Sequence, residues 1–148
     1  MDMVDEKTRS RIMASVRQKN TGPEMLVRKT LHRMGLRYRL HDKKLPGSPD
    51  LVFPRFSAVI FVHGCFWHRH EGCRYATTPS SSKEFWKAKF EANKARDRKN
   101  YALLEKMGWR VLVVWECTIK KATLEKLGGL GKDINGWLRS ESDHTEIG

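Results

Sequence analysis

The sequence predicts an α/β (α+β) fold, a mixed sheet flanked by helices. Two predominantly apolar runs, Phe56–Val62 and Trp109–Trp115, lack alternation and read as strands buried on both faces. Between them lies a long segment with helical periodicity, opened by Ser81-x-x-Glu84 and closed before Gly108. The full order of helix, strand, strand, strand, helix, strand implies a layered core with helices on the faces of the sheet. A chain of 148 residues suits one such core.

Each element has its own local reason. Residues 1–20 read as a basic arm, in which Ile12, Met13 and Val16 form a short stripe flanked by Arg9, Arg11, Arg17 and Lys19. Thr21-Gly22-Pro23-Glu24 reads as a capping box, opening a helix that runs to about Met34 and stops at Gly35. Leu36-Arg37-Tyr38-Arg39-Leu40 alternates apolar with basic, the pattern of a strand with one wet, positive face. Turn chemistry at Leu45-Pro46-Gly47-Ser48-Pro49-Asp50 leads into Leu51-Val52-Phe53, which should pair with the following run as a hairpin. Residues 21–120 form the expected core. Residues 121–148, with Gly128, Gly129 and Gly131, read as a C-terminal extension holding at most two short helices.

Composition narrows the function. Lys and Arg total 29 against 17 Asp and Glu, and the formal charge of +12 favours a polyanion, nucleic acid before an anionic membrane. Five Trp and six Phe argue against a disordered polyelectrolyte. No apolar stretch reaches the roughly 18 residues of a membrane span, and the N-terminus lacks the apolar core of a signal peptide. A cytoplasmic protein is expected. Its three cysteines would stay reduced there, and an odd number could not all pair within the chain.

Chemistry concentrates in His63-Gly64-Cys65-Phe66-Trp67-His68-Arg69-His70-Glu71-Gly72-Cys73. Cys65-x4-His70-x2-Cys73 offers three metal ligands, and Cys117, just past the last strand, could close a structural Cys3His zinc site. The competing readings are a small buried hydrophobe at Cys117 or a Cys–His nucleophile. Asp50 opens a strand near the end of the next one, where Val62 and His63 emerge; it could hold Mg²⁺ or simply cap its turn. Glu24 has an equally plain account within its capping box. On the long helix Trp86, Phe90, Asn93, Asp97, Tyr101 and Leu104 share a face, and a carboxylate inside that stripe calls for a histidine partner from the 63–70 loop. His63 and His68 are free for proton transfer near neutral pH, and His41 is the least convincing histidine of the set. Phe66 and Trp67 sit in a polar loop with no evident core, so they suit wedges between base steps unless one seals the metal site.

Taken together, these residues resemble the very-short-patch-repair (Vsr) endonucleases. The likeness spans about residues 6–120 and rests on His63–His68, Pro49-Asp50, Glu84-Phe85-Trp86, Arg96-Asp97, Gly108–Val111 and Trp115-Glu116-Cys117. It implies a variant of the restriction-endonuclease-like fold and Mg²⁺-dependent nicking of double-stranded DNA 5′ to the T of a T:G mismatch left by 5-methylcytosine deamination. It also implies bacterial, nucleoid-associated activity as a monomer. The implied functional link is to a DNA cytosine methyltransferase and mismatch-repair proteins, with a polymerase and ligase acting downstream. By the same resemblance Asp50 binds magnesium with the Val62 carbonyl, and His68 is the general base or proton shuttle. Glu24, His63 and Asp97 support the site, and Cys65, His70, Cys73 and Cys117 hold zinc. Phe66, Trp67 and Trp86 enter the base stack while Met13 reaches the opposite groove. The broader nuclease class places an acid-x-Lys after the catalytic Asp; here that place reads Phe61-Val62-His63, with histidine in the lysine's position.

Overall fold

The computed structural model describes residues 22–148 apart from residues 75, 78, 79, 120 and 121. The arm residues Arg9, Arg11, Met13, Arg17 and Lys19, and Thr21 of the first capping box, lie outside the described residues. Helix α1 (Gly22–Arg33) is followed by strands β1 (Arg39–Leu40), β2 (Leu51–Phe53) and β3 (Ala58–His63). Helix α2 (Lys83–Lys106) leads to β4 (Arg110–Trp115), a single turn α3 (Glu116–Ile119), α4 (Leu124–Leu138) and β5 (Thr145–Ile147). The strands form one mixed sheet in the order β1-β2-β3-β4-β5, antiparallel from β1 to β3 and parallel from β3 to β5.

Alternation along the strands splits the core into two layers. Leu51, Phe53, Ala58, Ile60, Leu112 and Val114 face α1 and α4, where Val27, Leu31, Leu130 and Ile134 meet them. Val52, Val59, Phe61, Val111 and Val113 face α2 through Leu104 and Tyr101. The hairpin predicted for β2 and β3 is present, with Leu51 opposite Ile60.

Three expectations are corrected. The alternating segment 36–40 contributes only two residues to the sheet, because Leu36 drops into the core and the Tyr38 hydroxyl donates to the Arg28 carbonyl at 2.8 Å. The second capping box is not formed: Ser82, with a left-handed backbone at φ 55° and no side-chain cap bond, stands at the N-cap of α2. The C-terminal segment holds far more than two short helices' worth of structure. Leu127, Leu130, Gly131, Ile134, Trp137 and Leu138 recur at helical spacing and bury one face of the 15-residue α4, while β5 extends the sheet. Glycine makes that face possible, since a Cβ at Gly131 would lie 2.9 Å from Thr30 Cγ2 on α1 and 2.7 Å from Met34 Sδ just past its end. Arg110 then anchors the end of α4, donating to the Leu138 carbonyl at 2.7 Å and the Trp137 carbonyl at 3.0 Å.

Candidate active site and metal centre

The C-terminal end of the sheet collects the chemistry. Parallel pairing sets His63 beside Trp115, so Cys65 and Cys117 each lie two residues beyond a matched pair. That equal offset brings them together. His70 Nδ1 lies 3.4 Å from Cys117 Sγ and 3.7 Å from Cys65 Sγ, and with Cys73 the four ligand atoms fall within 4.8 Å of one another. Zinc–sulfur bonds of about 2.3 Å imply tetrahedral edges of roughly 3.8 Å, so the donor set fits a zinc ion in both chemistry and scale. Nε2–H of His70 donates to the Gly148 carbonyl at 3.3 Å, leaving Nδ1 bare toward the thiols, and the ring stacks on Trp115. All three cysteines are free thiols. Burial pushes the Cys65 thiol up to about 12 and raises Cys117 as well. Crowded buried thiols thus stay protonated until a cation compensates them.

The five predicted catalytic side chains sort into two groups. In the first, Asp50 Oδ2 accepts from the Val62 amide at 2.7 Å, and His41 Nε2–H donates to Glu24 Oε2 at 2.8 Å while lying 3.9 Å from Asp50 Oδ1. Glu24 is buried to 1% exposure and also accepts from Arg28 at 3.2 Å. Burial raises the Asp50 carboxyl to about 8; the Val62 amide opposes this and the Glu24 charge adds to it. Glu24 therefore does more than occupy the first turn of its helix. His41 was the histidine with least claim from sequence, yet the antiparallel pairing of Leu40 with Leu51 places it opposite Asp50. A hairpin register read forward by one residue would have found it.

In the second group, His68 Nδ1–H donates to Asp97 Oδ2 at 2.6 Å, which meets the expectation of a loop histidine for that helix carboxylate. The His63 ring stacks on His68 at 3.7 Å and is hydrogen bonded through Nε2 to the Tyr101 hydroxyl at 2.6 Å. Burial, and next the neighbouring His68, hold His63 well below its usual range, so it is neutral at pH 7. The strand-end group that bonds Asp50 is the Val62 amide; the His63 ring is engaged by Tyr101 and His68 instead. Burial raises the Tyr101 hydroxyl, and the charges of Asp97, Glu146 and Asp50 add to that shift, so the two groups share one electrostatic neighbourhood. Tyr101 was visible in the sequence only as a member of the Asp97 stripe.

Beside them, Phe66, Trp67, Trp86 and Phe90 form an aromatic cluster, with Phe66 to Trp67 at 5.0 Å and Trp67 to Trp86 at 5.9 Å. This corrects the view that Phe66 and Trp67 lack a core. They are half-buried, Trp86 is buried, and Asn93 Nδ2 secures the loop by donating to the Trp67 carbonyl at 3.0 Å. Among the described residues no helix is long and apolar enough to cross a membrane.

Known proteins are similar to this chain. The family model described as DNA mismatch endonuclease Vsr matches residues 1–74. The type II nicking enzyme V.XorIIP of Xanthomonas oryzae pv. oryzae is 52% identical over 118 residues, covering 80% of this chain and 86% of that protein. V.NmeAIP, a type II nicking enzyme of Neisseria meningitidis, is 42% identical over 135 residues, covering 90% and 96%. The DNA mismatch endonuclease Vsr of Escherichia coli is 36% identical over 146 residues, or 99% of this chain and 93% of that one. With likeness of this degree running the length of the fold just described, the chain belongs to the Vsr DNA mismatch endonuclease family and is a DNA endonuclease.

Proposed function

We propose that this endonuclease nicks one strand of duplex DNA 5′ to the T of a T:G mismatch produced by 5-methylcytosine deamination, in a Mg²⁺-dependent reaction that initiates very short patch repair. The observation that carries the reading is the pair of groups at one end of the sheet. One is a largely buried carboxylate set suited to a cation and the other a histidine oriented by Asp97, with packed aromatic rings alongside. The nicking relatives and the mismatch-endonuclease relative support it by name. As a family member acting where methylcytosine decays, the enzyme would serve a DNA cytosine methyltransferase as its functional partner, working as a monomer.

The residues divide the labour. Asp50 and the Val62 carbonyl would hold the magnesium, because along an extended strand a residue's amide and carbonyl point to the same side and the Val62 amide already faces the Asp50 carboxylate. A carboxyl that keeps its proton to about pH 8 beside Glu24 is one whose ionisation a bound cation would favour. When bound, the divalent ion neutralises phosphate charge and acidifies a coordinated water. His68, with Nδ1–H committed to Asp97, presents Nε2 to take a proton from the attacking water. Neutral His63 holds the His68 ring from beneath and is itself fixed by Tyr101. The zinc set Cys65, His70, Cys73 and Cys117 would pin the 63–73 loop to the sheet so that His68 stays in reach. Phe66, Trp67 and Trp86 would enter the base stack, Trp86 only after Phe66 or Trp67 moves, since it is buried beneath them. Met13 would reach the opposite groove while Arg9, Arg11, Arg17 and Lys19 contact phosphates.

The deciding experiment incubates the purified protein and Mg²⁺ with T:G-mismatched and matched duplexes across a panel of flanking sequences. Nicks confined to the T strand of the mismatch are expected. Tight binding without nicks, or equal cleavage of both duplexes, would reject the reading.

A further inference from the structure

We propose that His41 supplies an imidazole nitrogen to the carboxylate metal site, making it a mixed Glu24–His41–Asp50 centre that favours Mn²⁺ over Mg²⁺. The assignment rests on the metal-dependent reading of Asp50 given above, adds Glu24 and His41 to the ligands Asp50 and Val62 named there, and specifies the class of ion.

The geometry is built around His41 from three directions. Its amide donates to the Asp50 carbonyl at 3.2 Å, tying the two backbones together just past the β1–β2 pairing. Its own backbone is left-handed, φ 46°, a region that non-glycine residues occupy at a cost and that is concentrated at functional positions. That turn swings the ring inward. Nε2 then stands 2.8 Å from Glu24 Oε2 and 3.9 Å from Asp50 Oδ1, and the three ligand atoms fall within 4.8 Å of one another. Adjacent ligands on an octahedral ion with bonds of about 2.1 Å are separated by roughly 3 Å, so a small inward movement of Asp50 Oδ1 completes one face of a coordination sphere. The side chains are 12%, 1% and 14% exposed for His41, Glu24 and Asp50, which leaves one open side for waters and phosphate.

Ligand type then decides the ion. Magnesium prefers oxygen donors throughout and keeps much of its water, whereas imidazole suits borderline transition ions and raises affinity along the series that begins with manganese. An all-oxygen site would show a smaller bias. The plain alternative is that His41 is a hydrogen-bonded strut joining α1 to β1, a role that Nε2–H donation to Glu24 would also satisfy. A strut keeps the proton on Nε2, whereas coordination moves it to Nδ1 and leaves the Nε2 lone pair for the ion.

The test therefore reads the nitrogen directly. Zinc-loaded full-length protein is titrated with Mn²⁺, and the bound ion is examined by pulsed EPR for modulation from a coordinated ¹⁴N. The wild type is expected to show it. His41→Gln, which keeps a hydrogen-bonding group toward Glu24, is expected to lose it and to bind Mn²⁺ about tenfold more weakly, with a smaller change for Mg²⁺. His41→Asn provides a second variant should the first fold poorly, and His68→Gln should retain the modulation because its ring belongs to the other group. Mn²⁺ bound in an Asp50-dependent manner without nitrogen modulation, or with modulation that survives loss of His41, overturns the assignment. Mn²⁺ binding unaffected by Asp50→Asn would instead reject Asp50 as the metal ligand, and the His41 assignment would fall with it.

Discussion

Asp97 shares one face of α2 with Trp86, Phe90 and Tyr101. A carboxylate within an aromatic helix face needs a partner, the nearest unassigned histidines lie in the 63–70 loop, and His68 meets it at 2.6 Å. Asp97→Asn should cost about 100-fold or more in nicking rate with little change in DNA affinity, because an amide can donate to Nδ1 and leave Nε2 carrying the proton. Single-turnover kinetics on the mismatched duplex measures this. Asp50→Asn should be more severe, about 1000-fold or more, while binding persists. It should also change stability in the opposite sense. In the metal-free fold Asp50 keeps its proton to about pH 8 whereas an ordinary carboxyl releases it near 3.8, so the native state binds the extra proton between those values. Stability is accordingly lost as pH rises through that window. Asn carries no charge, so the variant should unfold later than wild type at pH 8.5, by about 1–3 kcal/mol in denaturant titration with chelator present. A wild-type curve flat across pH 4–8 would contradict the burial argument. His41 escaped the sequence because nothing in its immediate neighbours marks it; only strand pairing carries it to Asp50.

At the level of elements, what could be read depended on whether a signal was local. The strands β3 and β4 and the span of α2 were legible from predominantly apolar runs and from Gly108 after the helix, whose φ of +90° suits a helix end. Helix α4 was not, since Gly128, Gly129 and Gly131 read as breakers, while the close approach that needs a glycine at one of them, Gly131, depends on Thr30 and Met34 from a distant part of the chain. Gly131→Leu should therefore destabilise the protein by about 2–4 kcal/mol, checked by thermal unfolding, because the new side chain meets Thr30 and Met34 rather than solvent. The metal cluster was half local: Cys65, His70 and Cys73 are close in sequence, and Cys117 joins them through strand register. One equivalent of tightly held zinc is expected. Cys73→Ser should release it and open the 63–73 loop to proteolysis, and a variant that stays metal-free, protected and active would refute the structural role.

For the molecule as a whole, the charge of +12 supplies attraction without discrimination. The described basic residues of α2, Lys83, Lys87, Lys89, Lys94 and Arg98, flank the helix that bears Trp86 and Asp97. Raising salt should weaken matched and mismatched binding in parallel, so that the ratio of the two affinities stays constant in fluorescence anisotropy titrations. A ratio that collapses with salt would assign selection to charge instead of to the rings.

Those rings also carry a consequence for proofreading the substrate. In the free protein the wedges are sheathed in one another, each ring pair contributing about 0.5–1.5 kcal/mol beyond its buried area. The proposed entry into DNA would mean unsheathing them and prising apart a base step, which costs a few kcal/mol more. The two costs add into a threshold. Under the proposed reading a well-stacked duplex would have to meet both in full, while a mispaired step has already surrendered part of its own, so the ring packing would itself sharpen the choice of where to open.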